Sequence, residues 1–197
     1  MTKKHIVIII PGLGDQIKKV AWATKFWNRY KLTPIVFSME WVKRGNNYQL
    51  RFKELLKLID DNLNIGNKVS LVGTSAGSSV AINAFCARKS IYRVVNICGR
   101  LRTGPSIGYR SFKNMTKGHP GFAESVIVSE KNLNKISMED RKKIMTTRPL
   151  FGDQLVPSET VIVEGAYNIT VPMVEHTLGI TMSLTLFSKP VISFLKS

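Results

Sequence analysis

The feature that most constrains this chain is a repeated switch of period. A short β-branched apolar run ends at a glycine turn, and a segment with helical spacing follows. His5 to Ile10 runs into Pro11-Gly12-Leu13-Gly14, after which Gln16 to Tyr30 places Ile17, Val20, Ala21, Trp22, Phe26 and Trp27 on or near one helical face. Lys68 to Val72 runs into Gly73-Thr74-Ser75-Ala76-Gly77, and Ala76 to Arg88 continues as a helix of small and apolar residues. Between these lie a second strand, Pro34 to Met39, and an amphipathic helix from Leu50 to Leu63 whose Leu55, Leu56, Ile59 and Leu63 alternate with Lys53, Lys57 and Asp60. Strands alternating with helices in this way predict βαβ units. The expected fold is a single α/β domain over 1–197, a three-layer sandwich with a mostly parallel central sheet.

The later part of the chain is less regular. Arg93 to Ile97 is a fourth strand, whereas residues 99–122 lose all periodicity. They hold five glycines, two prolines, five basic residues and no acid, and read as a long basic surface loop. Met138 to Lys143 is expected as a helix capped by Ser137, Ile144 to Leu150 as a weak strand and Thr160 to Glu164 as a better one. A closing helix is expected from Val174 to Leu195, bent or broken at Pro190.

Charge and cysteine content bound the partners. With 29 Lys/Arg against 13 Asp/Glu the formal charge is +16. Residues 1–150 carry 27 basic and 9 acidic side chains, a balance of +18, and residues 151–197 carry 2 and 4, a balance of −2. Such a surface attracts nucleic acid, anionic membrane or acidic small molecules, or simply keeps the protein soluble. The two cysteines, Cys86 and Cys98, cannot build a disulfide framework or a four-ligand zinc site and read as buried free thiols. No stretch reaches the roughly 20 apolar residues of a membrane span, and the apolar run after Lys3-Lys4 is too short for a secretory signal. A soluble cytoplasmic protein with no transmembrane segment is expected. No metal or organic cofactor is implied.

Gly73-Thr74-Ser75-Ala76-Gly77 has the form G-x-S-x-G at a strand–turn–helix junction. A tight turn strains the serine backbone, and glycines two residues to either side relieve the crowding. Ser75 then presents its hydroxyl at a helix N-terminus, where the dipole favours developing negative charge. The plainer reading is a glycine turn with a capping serine. A serine hydroxyl is a weak nucleophile and needs a base. Of the three histidines, His5 precedes the first strand, His119 sits in the basic loop, and His176 follows the last strand. An acid must orient the imidazole. Asp153, in the turn Gly152-Asp153-Gln154-Leu155-Val156-Pro157, is the first candidate, and Glu164, at the end of an expected strand, is the second. Glu139 and Asp140 read as the solvated start of a helix, and Glu175 adjoins the histidine.

Taken together, the 73–77 turn, the Asp153-x-x-Val156-Pro157 turn and the late His176 resemble the α/β-hydrolase superfamily, in a compact form lacking the first two strands. That resemblance implies a Ser75–His176–Asp153 triad. It also implies an oxyanion hole formed by the backbone N–H groups of Ala76 and of Leu13, the latter in a turn where proline stands in place of a frequent histidine. It implies a small acyl ester as substrate, anionic if the basic loop 99–122 acts as a lid, and it leaves hydrolysis and acyl transfer both open. A competing reading takes Gly12-x-Gly14 as a dinucleotide fingerprint, but the third glycine position holds Ile17. The alternative of another class is a non-catalytic basic domain on the same fold, binding nucleic acid or anionic membrane.

Overall fold

A computed structural model describes residues 3–42 and 47–197. Six strands, β1 (His5–Ile10), β2 (Leu32–Val36), β3 (Lys68–Thr74), β4 (Val94–Ile97), β5 (Ile144–Pro149) and β6 (Tyr167–Val171), form one sheet in the order β2-β1-β3-β4-β5-β6. Every neighbouring pair is parallel. The helices are α1 (Ile17–Thr24), α2 (Tyr48–Asn64), α3 (Gly77–Ala87), α4 (Phe112–Met115), α5 (Pro120–Leu133), α6 (Met138–Arg141), α7 (His176–Leu184) and α8 (Lys189–Lys196).

The alternation of side chains along each strand feeds two separate cores. On one face Ile6, Ile8, Ile10, Val69, Leu71, Val94 and Ile144 pack under α2, α3 and α5. On the other, Val7, Ile9, Val72, Val95, Ile97 and Met145 pack under α1, α7 and α8. This division follows from handedness. The chain leaves β1 toward β2 on one side, then crosses back to β3 and continues outward through β4 to β6. Right-handed crossovers of opposite direction must place their helices on opposite faces. The reversal lies between β1 and β3, and it opens a crevice at the carboxyl ends of those two strands.

Three expectations are corrected. Thr160 to Glu164 is not a strand: Ser158–Thr160 forms a 3₁₀ turn, and the last strand is β6. The run is apolar because Val161 and Val163 are buried in a loop, whose carbonyls accept from Asn96 Nδ2 at Val161 and from Asn168 Nδ2 at Val163. β6 escaped notice because it is an edge strand with mostly exposed or half-buried residues. The closing helix is two helices bent by 56°, and the break precedes Lys189. Pro190 sits in the first turn of α8, where its missing N–H costs nothing. Ile17 and Trp22 do not face the core. The buried stripe is Val20, Ala23, Thr24 and Trp27, and Trp22 falls off it at 77% exposure.

The expected loop over residues 99–122 has no helix or strand over 99–111 and turns helical only from Phe112. It holds α4 and the start of α5, and it buries Arg100, Leu101 and Phe122. Ser137 caps α6 by accepting from the Asp140 N–H, as its position suggested. Among the described residues no single helix is long and apolar enough to cross a membrane.

Trp27 closes the second core. It is fully buried, and its Nε1 donates to the Leu184 carbonyl at 3.2 Å, tying the turn after α1 to the end of α7. Trp27→Ala is expected to lower stability by about 3–5 kcal/mol, and Trp22→Ala by less than about 0.5 kcal/mol, in urea denaturation followed by circular dichroism.

Candidate active site

The crevice between β1 and β3 is built by crowding. Ser75 follows the end of β3 with φ of 50°, a left-handed conformation that non-glycine residues adopt only under constraint. Its N–H donates to the Ile97 carbonyl at 2.9 Å, and its carbonyl accepts from the Ser78 N–H at 3.1 Å. Both sides of the turn are pressed close. A Cβ on Gly73 would stand 2.3 Å from Ser78 Cα, and one on Gly77 would stand 2.0 Å from the Ile10 carbonyl oxygen. The α3 helix starts without a side-chain cap, so Ser75 does not serve as its capping serine. Its hydroxyl goes elsewhere.

Ser75 Oγ lies 2.9 Å from His176 Nε2, and His176 Nδ1 lies 2.7 Å from Asp153 Oδ2. The three side chains come from three elements: the turn after β3, the first residue of α7, and the turn after β5. Asp153 and His176 are both nearly excluded from solvent, with side chains 4% and 6% exposed. Asp153 Oδ1 accepts from the N–H groups of Leu155 and Val156 at 2.8 and 2.9 Å, which fixes the carboxylate in its turn. As a carboxylate it can only accept from the imidazole, so Nδ1 carries the proton and Nε2 is left to accept from the serine hydroxyl.

The other candidates fall away from this chain of contacts. Glu164 ends no strand; it is exposed, and its carbonyl accepts from Arg141 Nη1. His5 opens β1 at the opposite edge and bonds Ser70 Oγ at 2.8 Å. His119 precedes α5.

Gly12 and Leu13 sit where the β1 turn meets the elbow. A Cβ on Gly12 would stand 2.8 Å from Ser75 Cβ, so only glycine lets the two turns touch. Among the described residues no backbone carbonyl takes the N–H of Leu13 or of Ala76. Asp15 holds the turn in shape, with φ of 42° and a carboxylate that accepts from Ser38 Oγ and the Trp41 N–H, both at 2.8 Å.

The roles of two side chains escaped the sequence reading. Gln154 Oε1 accepts from the His176 N–H at 3.2 Å, and Gln154 Nε2 donates to Glu175 Oε1 at 2.7 Å. Glu175 in turn caps α7 by accepting from the Leu178 N–H at 2.7 Å. The sequence signal was present: an acid immediately before a helix is a cap pattern. Gly99 was missed too; its Cβ would overlap Ser78, and its N–H is held by Asn96 Oδ1.

Ser75 and His176 open onto a groove of about 580 Å³ between α1 and α7. Its walls are mostly apolar, with Val20, Trp22, Ile180 and Leu184, and Lys18 and Lys19 stand at its side. None of residues 99–122 lines it. That segment meets the site from behind: Arg110 Nη1 donates to the Asp153 carbonyl at 3.0 Å, while Arg100 and Arg102 are tied to the carbonyls of Arg110 and Ile162. Among the described residues no group of three or more His, Cys, Asp or Glu is placed to hold a metal ion.

No protein-family model matches the sequence, and no curated protein resembles it in sequence. Solved structures do resemble it in fold. An α/β hydrolase, GrgF from Penicillium sp. sh18, superposes with a TM-score of 0.69 at 11% identity over 99% of this chain and 90% of its own. A monoacylglycerol lipase from Paleococcus ferrophilus gives 0.65 at 15% identity, over 96% and 93%. Est1E from Butyrivibrio proteoclasticus gives 0.65 at 14%, over 98% and 88%. The chain has the α/β-hydrolase fold. Its sheet is parallel throughout. The identities are too low to carry anything beyond the fold, so the chemistry must be argued from the side chains in place.

The Glu175 cap has a pH signature. Burial works to raise its pKa, but the N–H groups of Thr177 and Leu178 and the Gln154 amide outweigh that and hold it down at about 2. A lowered carboxyl stabilises the fold above its ordinary range and loses that contribution as pH falls through the folded value. Glu175→Ala should therefore cost about 1 kcal/mol near neutrality. The difference from wild type should shrink between about pH 4.3 and 2 in urea titrations at stepped pH.

Proposed function

We propose that this protein is a serine hydrolase that cleaves a carboxylic ester or related acyl bond through an acyl-enzyme on Ser75. The observation that carries this reading is the unbroken run of contacts from Ser75 Oγ through the His176 imidazole to the Asp153 carboxylate. His176 Nε2 takes the serine proton as Oγ attacks the acyl carbon, and Asp153 stabilises the imidazolium that forms. The imidazolium then protonates the leaving group. In the second half, water attacks the acyl-enzyme with the same histidine as base, and the acid is released.

The free N–H groups of Leu13 and Ala76 are the assigned oxyanion donors. They flank the serine from two different turns, and a preorganised donor of this kind is worth about 2.7–4 kcal/mol of barrier. A strained backbone at Ser75 supports the same reading, since the fold sustains that conformation at a cost. The groove between α1 and α7 supports an apolar acyl chain as the part of the substrate held beside Ser75. Lys18 and Lys19 suit an anionic group on the same molecule. Unpaired Cys86 and Cys98 fit a reducing compartment, and we assign the protein to the cytoplasm. A non-catalytic binder on the same fold would account for the charge but would have no use for a buried carboxylate–imidazole–hydroxyl relay.

A fluorophosphonate probe is expected to label the wild type and to leave Ser75→Ala unlabelled at unchanged circular dichroism. Absence of labelling in the folded wild type would falsify the hydrolase reading. On a short-chain p-nitrophenyl ester, Asp153→Asn should lower turnover by about 10⁴-fold, as expected when the histidine tautomer is lost. Glu164→Gln should stay within about twofold of wild type, and an inversion of these two results removes Asp153 from the triad.

A further inference from the structure

The charge of +16 is uneven in space as well as along the chain. In an all-parallel sheet every strand begins at the same edge. In this chain five of the six strands are entered through basic residues: Lys3-Lys4 before β1, Lys31 before β2, Lys68 opening β3, Arg93 before β4 and Lys142-Lys143 before β5. At the corner where β2, β1 and β3 lie side by side, Lys3, Lys4, Lys31, Lys68 and Lys196 line a concavity of about 320 Å³. No carboxylate side chain lines it. Among the described residues none of these five lysines forms an ion pair.

Lysines at this edge have an ordinary explanation, which fails on magnitude. Helices run back against parallel strands, so their carboxyl ends, with partial negative charge, gather where the strands begin. Three such ends reach this corner, at Tyr30, Asn64 and Lys196. At about half a charge each they offset roughly 1.5 of the five ammonium charges. At least two positive charges remain uncompensated. His5, half-buried beside the same pocket, is neutral at pH 7, because burial and the neighbouring Lys68 push its pKa down to about 4. It adds no charge and can bond as a neutral ring, as it does with Ser70 Oγ. The Tyr30 phenol supplies a further hydroxyl at the rim.

We infer that this lysine-lined concavity binds a small soluble anion carrying two or more phosphoryl groups, of the diphosphate class. Ammonium groups are compact, strongly hydrated point charges that match the charge density of phosphoryl oxygens, and five lysines lining one hollow, with the Lys68 ammonium also lying 3.3 Å from the centroid of the Tyr92 ring, favour several negative charges on one ligand. The volume is at the low end of small-molecule sites. The size of the hollow suits a small anion, and a larger polyanion tracking the basic edge is the outcome the test below separates from it. The pocket lies at the far end of β1 from Gly12, about 20 Å from Ser75 at 3.3 Å per residue, so it is distinct from the catalytic groove and does not depend on the hydrolase reading.

The test uses inorganic pyrophosphate as the probe, by isothermal titration at fixed ionic strength and by thermal shift. Pyrophosphate is expected to bind the wild type and Ser75→Ala equally and to raise Tm in both. The triple variant Lys4→Gln/Lys31→Asn/Lys68→Gln removes three charges and keeps a residue tolerant of the left-handed conformation at position 31, where φ is 63°. It should remain folded without anion, relief of repulsion offsetting the Lys68–Tyr92 ring contact that it removes, and should bind pyrophosphate at least tenfold more weakly. The proposal fails if sodium chloride at matched ionic strength reproduces the Tm rise, or if the triple variant retains the wild-type affinity. It fails equally if duplex DNA or phosphatidylserine vesicles bind and pyrophosphate does not displace them, which would assign the lysines to a macromolecular surface.

Discussion

The close approach of two turns, one after β1 and one after β3, is the constraint on which the site depends. Ser75 occupies a left-handed conformation because β3 must reverse into α3 within a few residues while the β1 turn presses against it. Gly12, Gly73, Gly77 and Gly99 each stand where an added Cβ would come within 2.8 Å of a neighbouring atom. Two of those neighbours are backbone, Ser78 Cα for Gly73 and the Ile10 carbonyl oxygen for Gly77, which cannot rotate away. These absent side chains let the β1 turn and the serine turn touch, and Ser75 opens onto the crevice between them. The strain is held by the two cores above and below the sheet, which fix β1 and β3 against each other through six paired residues.

Once the elbow is fixed, the rest of the relay is a problem of delivering two side chains from far along the chain. Parallel strands solve it economically, because the turns after β3 and β5 and the start of α7 all lie at the same edge. Asp153 is pinned by two N–H groups of its own turn, and His176 is pinned by being the first residue of a capped helix. Gln154 links these two anchors, accepting from the His176 N–H and donating to the capping carboxylate of Glu175. The imidazole is therefore oriented through its backbone as well as through Asp153.

What the sequence disclosed followed from how locally each feature is encoded. The elbow was legible because glycine spacing around Ser75 is a steric requirement satisfied within five residues. Asp153 was preferred because it lies in a turn between two apolar segments, and His176 because, of three histidines, it alone fits the serine–acid–histidine chain order of the resembled fold. The strand after Asp153 was misplaced, because the Val161 to Val163 run is apolar for a loop's reasons, whereas β6 at the sheet edge carries exposed residues and no periodic signal. Glu164 was a candidate acid only through that misplacement. The role of residues 99–122 was illegible for a different reason. Their arginines are spent on carbonyls of the chain's own loops, a use that composition cannot distinguish from a solvated basic surface.

The two edges of the sheet carry opposite electrostatic tasks, and one geometric fact sets both. Helices packed on parallel strands point their amino ends toward the strands' carboxyl edge and their carboxyl ends toward the other. At the first edge, the start of α3 beside Ser75 favours negative charge. At the second edge, carboxyl ends favour cations, and the chain supplies more of them than those ends neutralise. The lysines of the amino edge therefore stand a full strand length from Ser75, whereas Lys18 and Lys19 are the ammonium groups beside the groove itself.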